Sequence, residues 1–156
     1  METRDIDRGE VLRYLGYGRH EADRRVMDLV EQCIEELGRE ASPLYLCRDY
    51  PLALGQEGLV DAGVFITRSR NLAKNLADCG LILVFAATLG TGADYLIGKY
   101  NRLQMSKAVV MQAAAAAMIE EYCDQVCAGL KAYYEADGWY LRPRFSPGYG
   151  DFPLDC

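Results

Sequence analysis

The stretch "RPRFSPGYGDFPLDC", residues 142 to 156, brings together groups able to hold a small charged molecule. Arg144 offers a planar guanidinium fork that matches a carboxylate. The turn after it supplies the backbone N–H groups of Gly148, Tyr149 and Gly150, where no bulky side chain blocks approach. That combination suits a ligand with a carboxylate and a flat ring. Composition alone also allows a plain surface turn whose arginines are solvated.

Other candidate chemistry is weaker. The six cysteines, Cys33, Cys47, Cys79, Cys123, Cys127 and Cys156, form no Cys-x-x-Cys pair, and the single histidine, His20, lies far from them in sequence. This spacing does not describe a zinc site. Cys123 and Cys127 are four apart and share a helix face, where a thiol is more often a small core residue. A Ser/His/Asp or Cys/His hydrolase would have to use His20, which sits in the hydrophilic "GYGRHEADRR" and reads as a solvated helix start. The glycine-rich "LGTGAD" lacks the GxGxxG spacing and the Lys-Ser/Thr of a phosphate loop, so it reads as a strand-to-helix turn.

The elements that must position these groups follow from the apolar pattern. Asp7 and Glu10 resemble a capping box, opening a short helix whose apolar face, Val11, Leu12, Tyr14 and Leu15, stops at Gly16. From Glu21, the residues Val26, Leu29, Val30, Cys33, Ile34 and Leu37 have the spacing of an amphipathic helix closed by Gly38. "PLYLCRDYPLAL" and "LVDAGVFIT" predict two strands, the second with Val60, Ala62, Val64 and Ile66 alternating. Ser69 can cap a helix that turns Leu72 and Leu76 inward and ends at Gly80. "LILVFAATLG" reads as a strand buried on both faces. Gln104 to Ala136 reads as one long helix containing an alanine run, and Trp139, Tyr140 and Leu141 as a short strand before proline and glycine end regular structure. The expectation is an α+β fold, a mixed or antiparallel sheet with helices packed on it and one long helix in the carboxyl-terminal half, forming a single domain over 1–156.

The 156 residues carry 17 Lys and Arg against 23 Asp and Glu, a net charge of -6. That sign opposes the footprint that phosphate-backbone binding needs, so nucleic acid is not an expected partner. No apolar run is long enough to span a bilayer, and "METRDIDRGE" has no leader pattern, so a cytoplasmic protein with no membrane partner is expected.

Four blocks in order, "IDRGEVLRYLGY" (6–17), "NLAKNLADCGLILVFAATLGTGADYLI" (71–97), "MIEEYCD" (118–124) and "RFSPGYGDFPL" (144–154), make the chain resemble the activation domain of cobalamin-dependent methionine synthase, and more closely its free-standing bacterial forms. Arg144, Gly148 and Tyr149 match that family's Arg-x-x-x-Gly-Tyr motif. The resemblance implies a module that binds S-adenosylmethionine and docks on a cobalamin-carrying methyltransferase, supporting reductive remethylation of the inactive corrinoid, with the chemistry belonging to the cofactors. It further implies that Arg144 holds the ligand carboxylate, that Gly148 and the Ser146 backbone lie along the ligand, and that Tyr149 packs near the ligand or the corrin. Glu120 would offset the cationic sulfonium or ammonium group, or else belongs to a solvated helix face. Asp7 would be the amino-terminal acidic ligand, or else only a helix cap.

Two departures accompany the likeness. Gly150 stands where the full synthase has proline, which would loosen the turn, and the family continues well past this motif. The resemblance therefore implies either a shortened member or a chain whose end is missing, with a sheet edge left uncovered that a second copy could fill. The competing expectation is a non-catalytic scaffold of a corrinoid methyltransferase system that has lost its ligand. An independent methyltransferase is a weaker third, because no base is evident.

Overall fold

A computed structural model describes residues 5–18 and 20–155, so residues 1–4, Arg19 and Cys156 lie outside the description. The chain is α+β and divides into two compact units. The first is built from residues 1–45 and 87–128, the second from 46–86 and 129–156.

The first unit is helical. Helix α1 (Arg8–Tyr14) and helix α2 (Arg24–Glu40) are capped by Asp7 and Asp23, whose side chains accept from the amides of Gly9 and Val26. The capping box expected at α1 is only half made: Asp7 caps, but Glu10 pairs with Arg13 instead of reaching back. Helix α2 runs past Gly38 to Glu40, so that glycine is not its stop. The turn begins at Ala41, whose backbone is extended, and the next amide, Ser42, donates to the Leu89 carbonyl. Arg8 clasps Glu31 through two hydrogen bonds of 2.9 Å and ties α1 to α2.

Helix α4 (Thr91–Leu103) and helix α5 (Met105–Glu135) complete this unit, α5 contributing its residues up to 128. Val30, Cys33, Ile34 and Leu37 of α2 pack in one core with Ala93 and Leu96 of α4 and with Met111, Ala114 and Met118 of α5. Ala113, Ala114, Ala115 and Ala117 are all buried, so the alanine run is core over most of its circumference. Such a helix must be small-sided where neighbours approach. Burial also pushes the Cys33 thiol up to about 11, which makes it an inert packing group.

A polar cluster closes one side of this core. Lys107 Nζ lies 2.7 Å from Glu36 Oε2, Tyr100 donates to Glu36 Oε1 at 2.6 Å, and Lys107 also donates to the Tyr100 hydroxyl at 3.0 Å. Burial alone would push the Glu36 carboxyl up, but the bonds from Lys107 and Tyr100 outweigh it and hold it below its ordinary value. The Glu36 bond is the main reason the Lys107 ammonium sits above its own. Glu36 therefore stabilises the fold fully above the free carboxyl value of about 4.3 and loses this as pH falls through its lower folded value. Lys107 contributes fully below about 10.4 and loses it as pH rises through its raised value. Lys107→Met is expected to cost about 2 kcal/mol at neutral pH, because Glu36 would remain largely buried without its partner. Chemical denaturation of both proteins should show a difference that is flat from about pH 5 to 10 and shrinks on either side.

The second unit holds the strands. Strand β1 (Leu44–Pro51) pairs with β5 (Leu81–Thr88) in a two-stranded sheet, while β2 (Ala53–Leu54), β3 (Leu59–Asp61) and β4 (Ile66–Arg68) form a separate antiparallel sheet in that order. The two predicted strands over 42–67 are thus four. The alternation expected from Val60 to Ile66 breaks because a turn interrupts it: Asp61 accepts from Gly63, whose φ is +73°, and Ala62 N bonds Phe65 O. Val60 and Ala62 are buried, whereas Val64 and Ile66 face water. Nor is β5 buried on both faces. Paired only with β1, its residues are half-buried or exposed, because a two-stranded sheet has too few neighbours to cover it.

Helix α3 (Arg70–Asn75) starts as the sequence predicts, with Ser69 Oγ accepting from Leu72 N at 3.0 Å and Leu72 and Leu76 buried. It ends one turn before Gly80. At the far end of α5, Trp139 N bonds Tyr134 O and Gly138 N bonds Glu135 O, with Gly138 at a φ of +80°. This paired bonding is a Schellman closure. It turns residues 139–141 into an irregular return rather than the expected strand.

Candidate functional site

The terminal segment is integral to the second unit. Phe152 is 5% exposed and shares a core with Val60, Leu72 and Leu76, with Phe65 and Phe145 packed against it. Its ring lies 6.1 Å from that of Phe65 and 6.2 Å from that of Phe145. One residue earlier, the Asp151 carboxylate accepts from Ser69 Oγ, from Arg70 N at 2.8 Å and from Asn71 N at 3.1 Å. A carboxylate at the first turn of a helix meets otherwise unsatisfied amides and the positive end of the dipole. These bonds, that from Ser69 first, hold the Asp151 carboxyl below its ordinary value.

Anchored this way, residues 146–152 form a closed turn. Tyr149 N donates to Ser146 O, Phe152 N to Tyr149 O and Gly148 N to Phe152 O at 2.8 Å. The amides of Gly148 and Tyr149 are therefore spent within the turn, where the sequence suggested that they face a ligand. Gly150 does not loosen the loop either. Its φ is +58°, and a Cβ there would stand 2.2 Å from Asn71 Nδ2, so glycine is what lets the turn sit against α3.

A cleft of about 370 Å³ opens beside this turn, lined by Asn71, Lys74 and Asn75 of α3 and by Phe145, Tyr149 and Gly150. Tyr149 is 71% exposed and its ring meets Phe145 edge-on at 6.0 Å, giving the cleft an aromatic wall. Lys74 supplies a cation and the two asparagines supply amide donors and acceptors. Asn75 also donates to the Pro143 carbonyl at 3.3 Å, which helps fix the approach to Arg144.

Arg144, Ser146, Gly148 and Tyr149 thus fall within one short anchored stretch of the second unit, all exposed. Glu120 and Asp7 belong to the first unit. Glu120 is exposed on α5, and the Asp7 carboxylate caps α1 through its bond to Gly9 N. Lys74, Asn71 and Asn75 were not legible as site residues, since α3 reads only as an amphipathic packing helix. What places them is the bonding of the Asp151 carboxylate to Ser69, Arg70 and Asn71 at the start of α3, a contact across about 80 residues that the sequence does not announce.

Among the described residues, no group of three metal-ligating side chains gathers, and no helix is long and apolar enough to cross a membrane. No protein-family model matches the chain, and no curated protein matches it in sequence.

Proposed function

We propose that the chain is an S-adenosylmethionine-binding accessory module that supports reductive reactivation of the corrinoid of a cobalamin-dependent methionine synthase. The observation that carries this reading is the Arg144–Tyr149 motif, which runs into the closed turn of residues 146–152 beside an aromatic, cationic cleft. S-adenosylmethionine bound there supplies an electrophilic methyl group to a corrinoid carried by the partner protein. The chain's own task is to bind and orient.

The residues present fit such a ligand. Lys74 offers a cation in the cleft for its carboxylate, the Phe145–Tyr149 wall suits a flat ring, and Asn71 and Asn75 can pair with polar edges; Arg144, next to Phe145 in sequence, is the cation that the resemblance assigns to that carboxylate.

Isothermal titration of the folded chain with S-adenosylmethionine tests the reading. Arg144→Ala is expected to weaken binding roughly 10- to 100-fold, the loss of a charge-assisted bond. No binding by the wild-type protein, or an Arg144→Ala variant equal to it, would overturn the proposal. One observation favours a scaffold that has lost the ligand: the Gly148 and Tyr149 amides are consumed within the turn. On that reading a corrinoid protein would be captured equally with and without S-adenosylmethionine.

A further inference from the structure

The second unit holds another cleft, of about 500 Å³, that shares no lining residue with the one beside Tyr149. It opens where the chain returns after α5. Its lining includes three aromatic residues, Tyr134, Trp139 and Tyr140, and two acidic ones, Asp49 of β1 and Asp78. The Schellman closure at Gly138 aims this return, and Trp139 and Tyr140 remain 51% and 82% exposed although they stand around a cavity. Large rings left in water around a cavity of ligand size are poorly explained by packing.

The charges select the ligand class. Against the two carboxylates the lining sets one guanidinium, Arg142, whose Nη2 is turned onto the Ala77 carbonyl at 3.2 Å. Burial first, and then the negative charge of Asp49, holds the Tyr134 hydroxyl above its ordinary value, consistent with Asp49 and Tyr134 both lining this cleft. Aromatic faces attract cations through their quadrupole, tryptophan most strongly, and a carboxylate in the lining adds a charge of the right sign. A strongly hydrated metal ion or ammonium would gain little from such faces. An alkylated organic cation, which is weakly hydrated and apolar on its outside, gains from both.

We propose that the cleft lined by Tyr134, Trp139 and Tyr140 together with Asp49 and Asp78 binds a small quaternary ammonium-type organic cation. Trp139 is the chain's single tryptophan, so its fluorescence reports on this cleft alone. The full chain is titrated with choline and, in parallel, with 3,3-dimethylbutan-1-ol, its uncharged isostere. Choline is expected to change the Trp139 emission saturably, and the isostere to bind on the order of tenfold more weakly. Asp49→Asn and Tyr140→Ala, both at exposed positions, should each weaken choline roughly five- to tenfold while leaving the circular dichroism unchanged. Absence of a saturable response to choline overturns the proposal. Equal affinity for choline and the alcohol does so too, since the cleft would then be merely apolar, as does choline affinity unchanged in both variants.

Discussion

Replacing Phe152 by alanine is expected to destabilise the second unit by about 3–4 kcal/mol, the range for emptying a buried aromatic site. The ring is 5% exposed and sits among Val60, Leu72 and Leu76, with Phe65 and Phe145 closing over it. Its backbone also holds the turn, donating to Tyr149 O and accepting from Gly148 N. The substitution should therefore do more than leave a cavity. It should free residues 146–152 from α3 and dissolve the cleft beside Tyr149. Hydrogen exchange at Leu72 and Ala73, whose amides bond Ser69, reports the loss. Tyr140→Ala, at an 82% exposed position of the same unit, should change stability by less than about 0.5 kcal/mol. A Phe152→Ala loss as small as that of Tyr140→Ala would mean that the terminal segment is not part of the core.

The second large effect is a reversal of sign between two glycines of one helix. Glycine to alanine in an exposed helix normally stabilises by about 0.5–1 kcal/mol. Gly98 of α4 is such a position, with nothing within 4 Å of a built Cβ. At Gly92, in the first turn, the same methyl would stand 2.2 Å from the Glu40 carbonyl oxygen and 3.0 Å from its carbon. Those are backbone atoms at the end of α2, and they cannot rotate aside. Gly92→Ala is expected to cost about 3 kcal/mol, at the upper end for overpacking, while Gly98→Ala raises the melting temperature. Thermal unfolding of both variants is sufficient, and two shifts of the same sign would refute the close approach of α4 to residue 40.

The glycines of "LGTGAD" therefore have a reason that is steric. Gly90 has a φ of +83° and a Cβ there would approach the Ser42 carbonyl at 3.0 Å, while Gly92 admits Glu40. The sequence reading of this stretch as a plain strand-to-helix turn agrees with that geometry.

Helices were legible where side-chain period and caps coincide. Asp7 and Ser69 cap α1 and α3 as read, α2 follows from its apolar period although its cap, Asp23, was not read, and the alanine-rich α5 follows from propensity alone. Strands were less legible, because the apolar alternation over 60–66 is carried by residues on both sides of a turn. Only the Asp61–Gly63 bond, a local side-chain choice, reveals that the chain reverses there. In the terminal segment, Arg144 and Tyr149 could be selected by type and spacing. Lys74, Asn71 and Asn75 could not, since they reach the cleft through contacts spanning half the chain. The consumption of the Gly148 and Tyr149 amides was equally hidden, because it depends on Phe152 being buried.

The interleaving of the two units has a kinetic consequence. Each is assembled from two stretches of chain separated by a stretch of the other, so neither exists as a contiguous fragment. Asp151 meets Ser69 across a span of 82 residues. Closing a loop of that length costs chain entropy before any contact in the core offsets it, and nonlocal contacts of this kind slow folding. The α-helices of the first unit can form from local signals, whereas the turn carrying Tyr149 must wait for α3 to be in place. The closed turn at 146–152 should accordingly be the last element regained on refolding, arriving after the far-ultraviolet helical signal is complete.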